Sequence, residues 1–388
     1  MANKKIVSLQ KKRNIALIKK IFRIIRIPVV ILAVAAALFL SARLLGNVAV
    51  SNITDGIRQV KTLFSRGEGY PYSLEAFDFR KVDAIGNRPL VLCDDSSVVL
   101  SSSAGKLFEM QLGVADSKVI TKNGRAMIFS NSSNKIILQS KTEKLGEMTA
   151  EGTVVAAALA ENGSFAVSYA KGEYQSVLSV YNSRFKEVFR WECSQERIAD
   201  ISLSGNGKNL AVIAVGAENA EIYTRLLVFN IGDAEPKADL RYSGTLFLRV
   251  AYTSSGKVIA VGDNKTVVLT KKGEPVDETV YSEDSLLSVC IDDSGNTVVF
   301  YEEFGGSKTG MVRYSSGGKK TCALSLDGTP DCAAAQGGKT AAAFGSEITV
   351  WSSSGNEVKR ITAENPVSDI FFCSGNLYTV ENGAIYKH

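Results

Sequence analysis

One short turn recurs eight times in this chain, and that recurrence restricts the possible folds more than any other feature. Each copy is a Gly followed by a polar residue and a short apolar run, at Gly86, Gly124, Gly163, Gly207, Gly256, Gly295, Gly338 and Gly375. The spacings are 38, 39, 44, 49, 39, 43 and 37 residues, about 41 on average. In seven copies a turn former precedes the Gly: Asn123, Asn162, Asn206, Ser255, Ser294, Gly337 or Ser374; Ile85 is the exception. Asn-Gly supplies the positive φ angles that tight hairpins need, and Ser-Gly and Gly-Gly do so more weakly. Among 33 glycines a single match is cheap, but eight in series are not.

The surroundings of each turn repeat as well. Five residues before the Gly stand the small side chains Ala158, Ser202, Ala251, Cys290 and Ala333, whereas Lys81, Val119 and Ile370 depart from the pattern. Small residues fit where the innermost strands of neighbouring sheets crowd a common axis. A third apolar strand follows in every unit (98–100, 136–138, 178–181, 226–229, 267–269, 311–314, 348–351 and 384–386), and a fourth in the first seven. Four strands in about 41 residues is the period of a propeller blade. The expected fold is therefore an all-β, eight-bladed β-propeller over residues 70–388, with seven blades as the alternative. The eighth unit lacks its last strand, and residues 70–80, with Leu74, Phe77 and Phe79, are expected to supply it.

Charge divides the chain. Ten Lys and Arg lie within residues 1–46 and the first acidic residue is Asp55, so residues 47–388 carry 35 basic against 40 acidic side chains. That region has no basic excess for releasing counterions from a polyanion, which excludes a nucleic-acid partner. Residues 29–40 carry no polar side chain, and with their flanks the apolar stretch nearly spans a bilayer. Nine positive charges precede it, which sets the N-terminus inside by the positive-inside rule. The expectation is a basic cytoplasmic segment (1–26), a transmembrane helix (27–46), a stalk helix and linker (47–69) and an extracytoplasmic propeller, anchored in a cell membrane by one span. A cleaved signal peptide is the competing reading, and it too exports the large region.

Several chemistries are absent from the sequence. The only histidine is His388, which removes His-based triads and two-His metal sites. None of the six cysteines forms a C-x-x-C pair, and buried free thiols are expected. Asp94, Asp95, Asp292 and Asp293 lack the alternation of a calcium loop and read as solvated turn residues. No catalytic residue, cofactor or metal site is assigned.

What remains is surface. The connections between second and third strands emerge on one face, and three are expanded, at residues 171–175, 216–224 and 302–309. They carry Glu173, Tyr174, Glu218, Glu221, Tyr223, Glu302, Glu303 and Phe304, an acidic and aromatic rim suited to a basic or amphipathic partner.

Residues 69–73 (GYPYS), 91–103, 205–212 and especially 258–269 (VIAVGDNKTVVL) resemble an uncharacterised bacterial family, a domain of unknown function with a basic N-terminus, one span and an exported propeller. More loosely the units resemble WD-repeat and quinoprotein-like propellers, although Trp191 is followed by Glu192 and Trp351 by Ser352 rather than Asp. The resemblance implies the architecture and a location in a bacterial cell membrane with the propeller in a Gram-positive-type envelope, and no activity. The leading expectation is a non-catalytic scaffold binding another envelope protein or a cell-wall component. The alternatives are an envelope small-molecule sensor, or a hydrolase or lyase using Asp200, Asp331 and Asp369 near the central funnel.

Overall fold

Middle strands such as RPLVLC, KIILQS and NLAVIAV read as nearly unbroken apolar runs, while outer strands such as KLFEMQ alternate. A strand buried on both faces shows the first pattern and a half-exposed strand the second. The computed structural model of the protein, which describes residues 67–75, 79–282 and 284–388, shows why both occur in every repeat. Eight four-stranded antiparallel sheets are arranged as the blades of a propeller. Each blade's middle strands are covered by the blades before and after it, and its outermost strand borders solvent. The membrane span and most of the stalk expected from the sequence lie outside the described residues. Among the described residues no helix is long and apolar enough to cross a membrane.

The innermost strands of blades 1 to 8 are Phe79–Ile85, Ser117–Lys122, Val154–Leu159, Arg197–Leu203, Phe247–Tyr252, Leu286–Ile291, Cys332–Gln336 and Val367–Cys373. Blade 8 takes its outermost strand from the other end of the propeller: Tyr72–Ser73 pairs with Ala384–Lys387, Tyr72 opposite Ile385. Phe79 and Arg80 belong instead to the first strand of blade 1.

Eight apolar clusters fill the eight seams between blades. Ala156, Ala158, Leu178 and Val180 of blade 3 meet Ile201, Leu203, Leu210 and Val212 of blade 4. The seam between blades 8 and 1 joins Phe371, Tyr378 and Ile385 to Val82, Val91 and Val98, with Leu74 among them. Each fully buried aliphatic or aromatic side chain contributes roughly 1.5–3 kcal/mol, so the seams hold the ring.

Polar groups tie the inner edges, where strand N–H groups lack a ladder partner. Asp200 Oδ2 on blade 4 accepts from Val250 N on blade 5 (2.8 Å), and Ser202 Oγ accepts from Tyr252 N (2.9 Å). The turns are linked in the same way, Asn162 Nδ2 of blade 3 donating to Asn206 O of blade 4 at 2.7 Å. Asp292, expected as a solvated residue, is buried instead. Its Oδ1 accepts from Ser294 N and Asn296 N, and its Oδ2 from Asn296 Nδ2 and from Gly337 N of blade 7. All six cysteines are free thiols, four buried and two half-buried.

All eight marker glycines have positive φ. At Gly295 a second constraint applies, because an added Cβ would come within 2.7 Å of Thr253 Cα on blade 5. Gly295→Ala is expected to lower stability by roughly 2 kcal/mol in equilibrium denaturation. Gly375 has a similar φ of +78° but open space around it, so Gly375→Ala should lose about half as much. Equal losses would show that the contact between blades 5 and 6 at this turn contributes nothing.

Candidate functional site

Connections between second and third strands share one face with the entries into the innermost strands, and the predicted rim residues lie on that face. Residues 171–175 and 216–224 are strand extensions rather than loops. Blade 4 sends out a hairpin of Asn209–Glu218 and Glu221–Asn230, turned by Asn219 and Ala220, both at positive φ. Of these three, the blade 6 connection, residues 303–307, is a true loop. Blades 3 and 4 are adjacent, whereas blade 5, with its short turn, separates them from blade 6.

Phe304 is entirely exposed, at 101% of its reference area, and Ile222 at the blade 4 tip is 62% exposed. Glu173, Glu218, Glu221 and Glu302 are exposed and Glu303 is half-buried, accepting from Ser325 Oγ at 2.7 Å. Glu218 holds Arg241 at 2.6 Å. Glu173, Glu221 and Glu302 have no ion pair among the described residues. Tyr174 is half-buried, and the charge of Glu192, followed by its hydrogen bond and the charge of Glu173, pushes the phenol pKa up.

Tyr223 does not stand on the exposed rim. It is 5% exposed, under the guanidinium of Arg241 at 3.7 Å from its ring centroid, and its hydroxyl donates to Glu196 Oε1 at 3.0 Å. Glu196, which the sequence did not single out, is the centre of a buried network. Cys193 Sγ donates to Oε2 (2.6 Å) and Arg225 Nη1 to Oε1 (2.9 Å), while Arg225 also grips Asp239 at 2.5 Å. Burial alone would raise the Glu196 pKa, but the bonds from Cys193, Arg225 and Tyr223 outweigh it and hold it below the usual carboxylate range. The network fixes the base of the blade 4 hairpin.

The axis itself is a channel of about 970 Å³ lined by all eight innermost strands. Val155, Leu248 and Leu287 are exposed near its mouth on the rim face, on blades 3, 5 and 6. At the glycine-turn end Lys122 of blade 2 reaches across the axis and donates to the carbonyl of Asp293 on blade 6. The three aspartates considered for acid–base chemistry stand on different blades. Asp200 and Asp369 are on blades 4 and 8, opposite each other, and Asp331 precedes the first strand of blade 7. Burial pushes both Asp200 and Asp369 up; hydrogen bonds from the next blade, Val250 N and Val82 N, pull the other way. These carboxylates hold blade edges. Among the described residues no group of His, Cys, Asp and Glu could hold a metal ion.

The architecture is shared widely among solved structures. BamB from Moraxella catarrhalis superposes with a TM-score of 0.53 at 10% identity, covering 83% of this chain and 98% of that one. The C-terminal WD40 domain of Sif2 gives 0.59 at 10% identity, covering 83% and 98%. Sqt1 of Saccharomyces cerevisiae gives 0.56 at 9% identity, covering 84% and 100%. At such identities the likeness is one of fold. No protein of curated function matches the sequence. Residues 72–387, from the closing strand to the last one, match a family of unknown function, DUF5711, and this chain belongs to that family.

Proposed function

We propose that the protein is a non-catalytic scaffold, held to a bacterial cell membrane by residues 27–46, whose propeller presents the rim of blades 3 to 6 outside the cytoplasm to a basic, amphipathic segment of another envelope protein. The observation that carries this reading is Phe304, a bare aromatic ring at a loop tip on the same face as exposed Ile222, Leu248 and Leu287. Exposed apolar side chains on one face, fringed by carboxylates that lack a cation, suit a partner with apolar and basic residues together. The positive charges ahead of the apolar stretch support the orientation. The non-catalytic part rests on Asp200 and Asp369, whose hydrogen bonds serve the neighbouring blades.

Ser307→Cys, exposed in the same loop and leaving Phe304 in place, probed in intact cells with a membrane-impermeant thiol crosslinker, is expected to capture one partner protein. Lys208→Cys, on the glycine-turn face, is expected to capture none. Adding Ile222→Ser to the first variant should cut the yield about tenfold, as loss of an interface anchor does. Reaction only after lysis would overturn the extracytoplasmic placement, and the same products from both faces would overturn the rim.

A further inference from the structure

The balance of charge over the propeller conceals a separation along its axis. Connections on the rim face, between second and third strands and from one blade to the next, hold twelve acidic side chains and no Lys or Arg among the described residues. Connections on the glycine-turn face hold nine Lys and Arg against seven acids. Two of those acids are already engaged: Asp292 is buried in its turn, and Asp293 lies beside Lys122. Strand ends extend the contrast, with Lys320 and Lys339 exposed on the glycine-turn face and Glu221, Glu302 and Glu347 on the rim.

Cations on the two faces also differ in what they touch. On the rim, Lys171 is held by Glu151, and Arg80 by Asp94 and Asp116. On the glycine-turn face Arg184, Lys186, Lys208, Lys271, Lys272 and Lys319 are exposed and have no ion pair among the described residues. They spread over blades 3 to 6. Folding makes no such demand, because water solvates a charged turn of either sign on either face. The separation gives the propeller a field directed along its axis, which orients it against any charged surface.

A second observation is where the stalk joins the propeller. Gly69 N donates to Ser103 O, and a Cβ added at Gly67 would collide with Ser103 O and Gly105 N at 2.2 Å. Residues 67–69 therefore run against the turn between the third and fourth strands of blade 1, on the glycine-turn face. Only residues 47–66 separate them from the apolar stretch. At roughly 3.3 Å per extended residue, a tether of that length reaches about 65 Å, enough to let either face meet the membrane. Charge, not tether length, then decides which face does.

We propose that the glycine-turn face docks on the anionic phosphodiester headgroups of the membrane that anchors the chain, with the acidic rim turned away. This rests on the anchored, extracytoplasmic reading given above. Lys and Arg side chains are drawn to such a surface within a Debye length, about 10 Å at 0.1 M salt, and the rim carboxylates are repelled from it. Docking in this sense holds Phe304 and Ile222 away from the bilayer, where a partner's segment reaches them.

The test uses the full chain in nanodiscs of phosphatidylcholine, with or without phosphatidylglycerol, carrying a nitroxide on a fraction of the headgroups. A fluorophore is attached at Ser255→Cys on the glycine-turn face or at Ser307→Cys on the rim, both exposed and uncharged positions, and the labelled parent supplies the background of its own thiols. With phosphatidylglycerol the Ser255 label is expected to be quenched at least about threefold more than the Ser307 label. The preference should vanish in phosphatidylcholine alone, and in about 1 M salt, where the Debye length is about 3 Å. Lys186→Gln, Lys271→Gln, Lys272→Gln and Lys319→Gln together should abolish it at an unchanged melting temperature, since all four side chains are exposed. Equal quenching at both positions in phosphatidylglycerol, or a preference that survives neutral lipid or the four substitutions, would overturn the docking. So would loss of the preference on adding soluble poly(glycerol phosphate) at the same phosphate concentration, which would assign the face to a free polyanion. A chain that does not enter the nanodisc at all would overturn the anchor, and this inference with it, a failure told apart by the absence of lipid from the protein peak.

Discussion

Leu74→Asp is expected to open the ring. Leu74 is 1% exposed, sits in the seam between blades 8 and 1, and donates its N–H to Gly383 O at 2.7 Å. Around it, Tyr70 packs edge-on against Tyr378 at 5.2 Å and donates its hydroxyl to Ser101 O on blade 1. Residues 69–74 thus clasp the first blade and the last one together: Gly69 N donates to Ser103 O, while Tyr72 and Ser73 pair with Ile385 and Ala384. Truncating a buried Leu costs about 2–5 kcal/mol, and a carboxylate placed there adds a desolvation penalty of several kcal/mol more. That total is comparable to the whole stability of a typical domain, about 5–15 kcal/mol. The expected result is a large fall in melting temperature, with protease cleavage beginning in blade 8. Glu75→Ala, one residue on and exposed, should change neither. A Leu74→Asp protein that melts like its parent would show that the seam between blades 8 and 1 closes without this segment.

The blade count was legible because it depends on local backbone chemistry. Each turn needs a positive φ, glycine provides it, and glycine is visible in a sequence. What was not legible depends on contacts between strands and blades that lie far apart in the sequence. Tyr223 and Asp292 both lie in or beside turns and read as solvated, but their partners come from elsewhere: Glu196 and Arg241 cover the tyrosine, and Gly337 of the next blade donates to the aspartate. Spacing fixes where a residue falls along a strand; side chains brought in from other strands and from the next blade decide whether water reaches it. Glu196 left no sequence signal at all, being one acid in a connection between blades.

Glu196→Ala is expected to cost about 3 kcal/mol, because removing one partner from a buried ion pair strands the other and leaves the donors unsatisfied. Cys193, Tyr223 and Arg225 all donate to this carboxylate, which is 3% exposed, and only Arg225 keeps a second carboxylate, Asp239. Glu151 makes a useful contrast. The bonds from Arg190 and Lys171 hold its pKa at about 2, but it stands in solvent, where screening leaves such pairs little net effect. The sign of the pH dependence follows from the lowered folded-state pKa of Glu196. Above the unfolded value of 4.5 its stabilisation is fully present, and it is lost as pH falls from there through the folded value. The parent should therefore lose stability on acidification below about pH 4.5 more steeply than Glu196→Gln, which has no proton to take up at this site. Urea denaturation at neutral pH and in this acid window checks both statements. Because Glu196 anchors the base of the blade 4 hairpin, the Ala variant should also expose residues 217–222 to faster amide exchange. Parallel pH profiles for the parent and Glu196→Gln, with unchanged exchange at the hairpin in the Ala variant, would mean that the Arg225–Asp239 pair alone fixes this part of the rim.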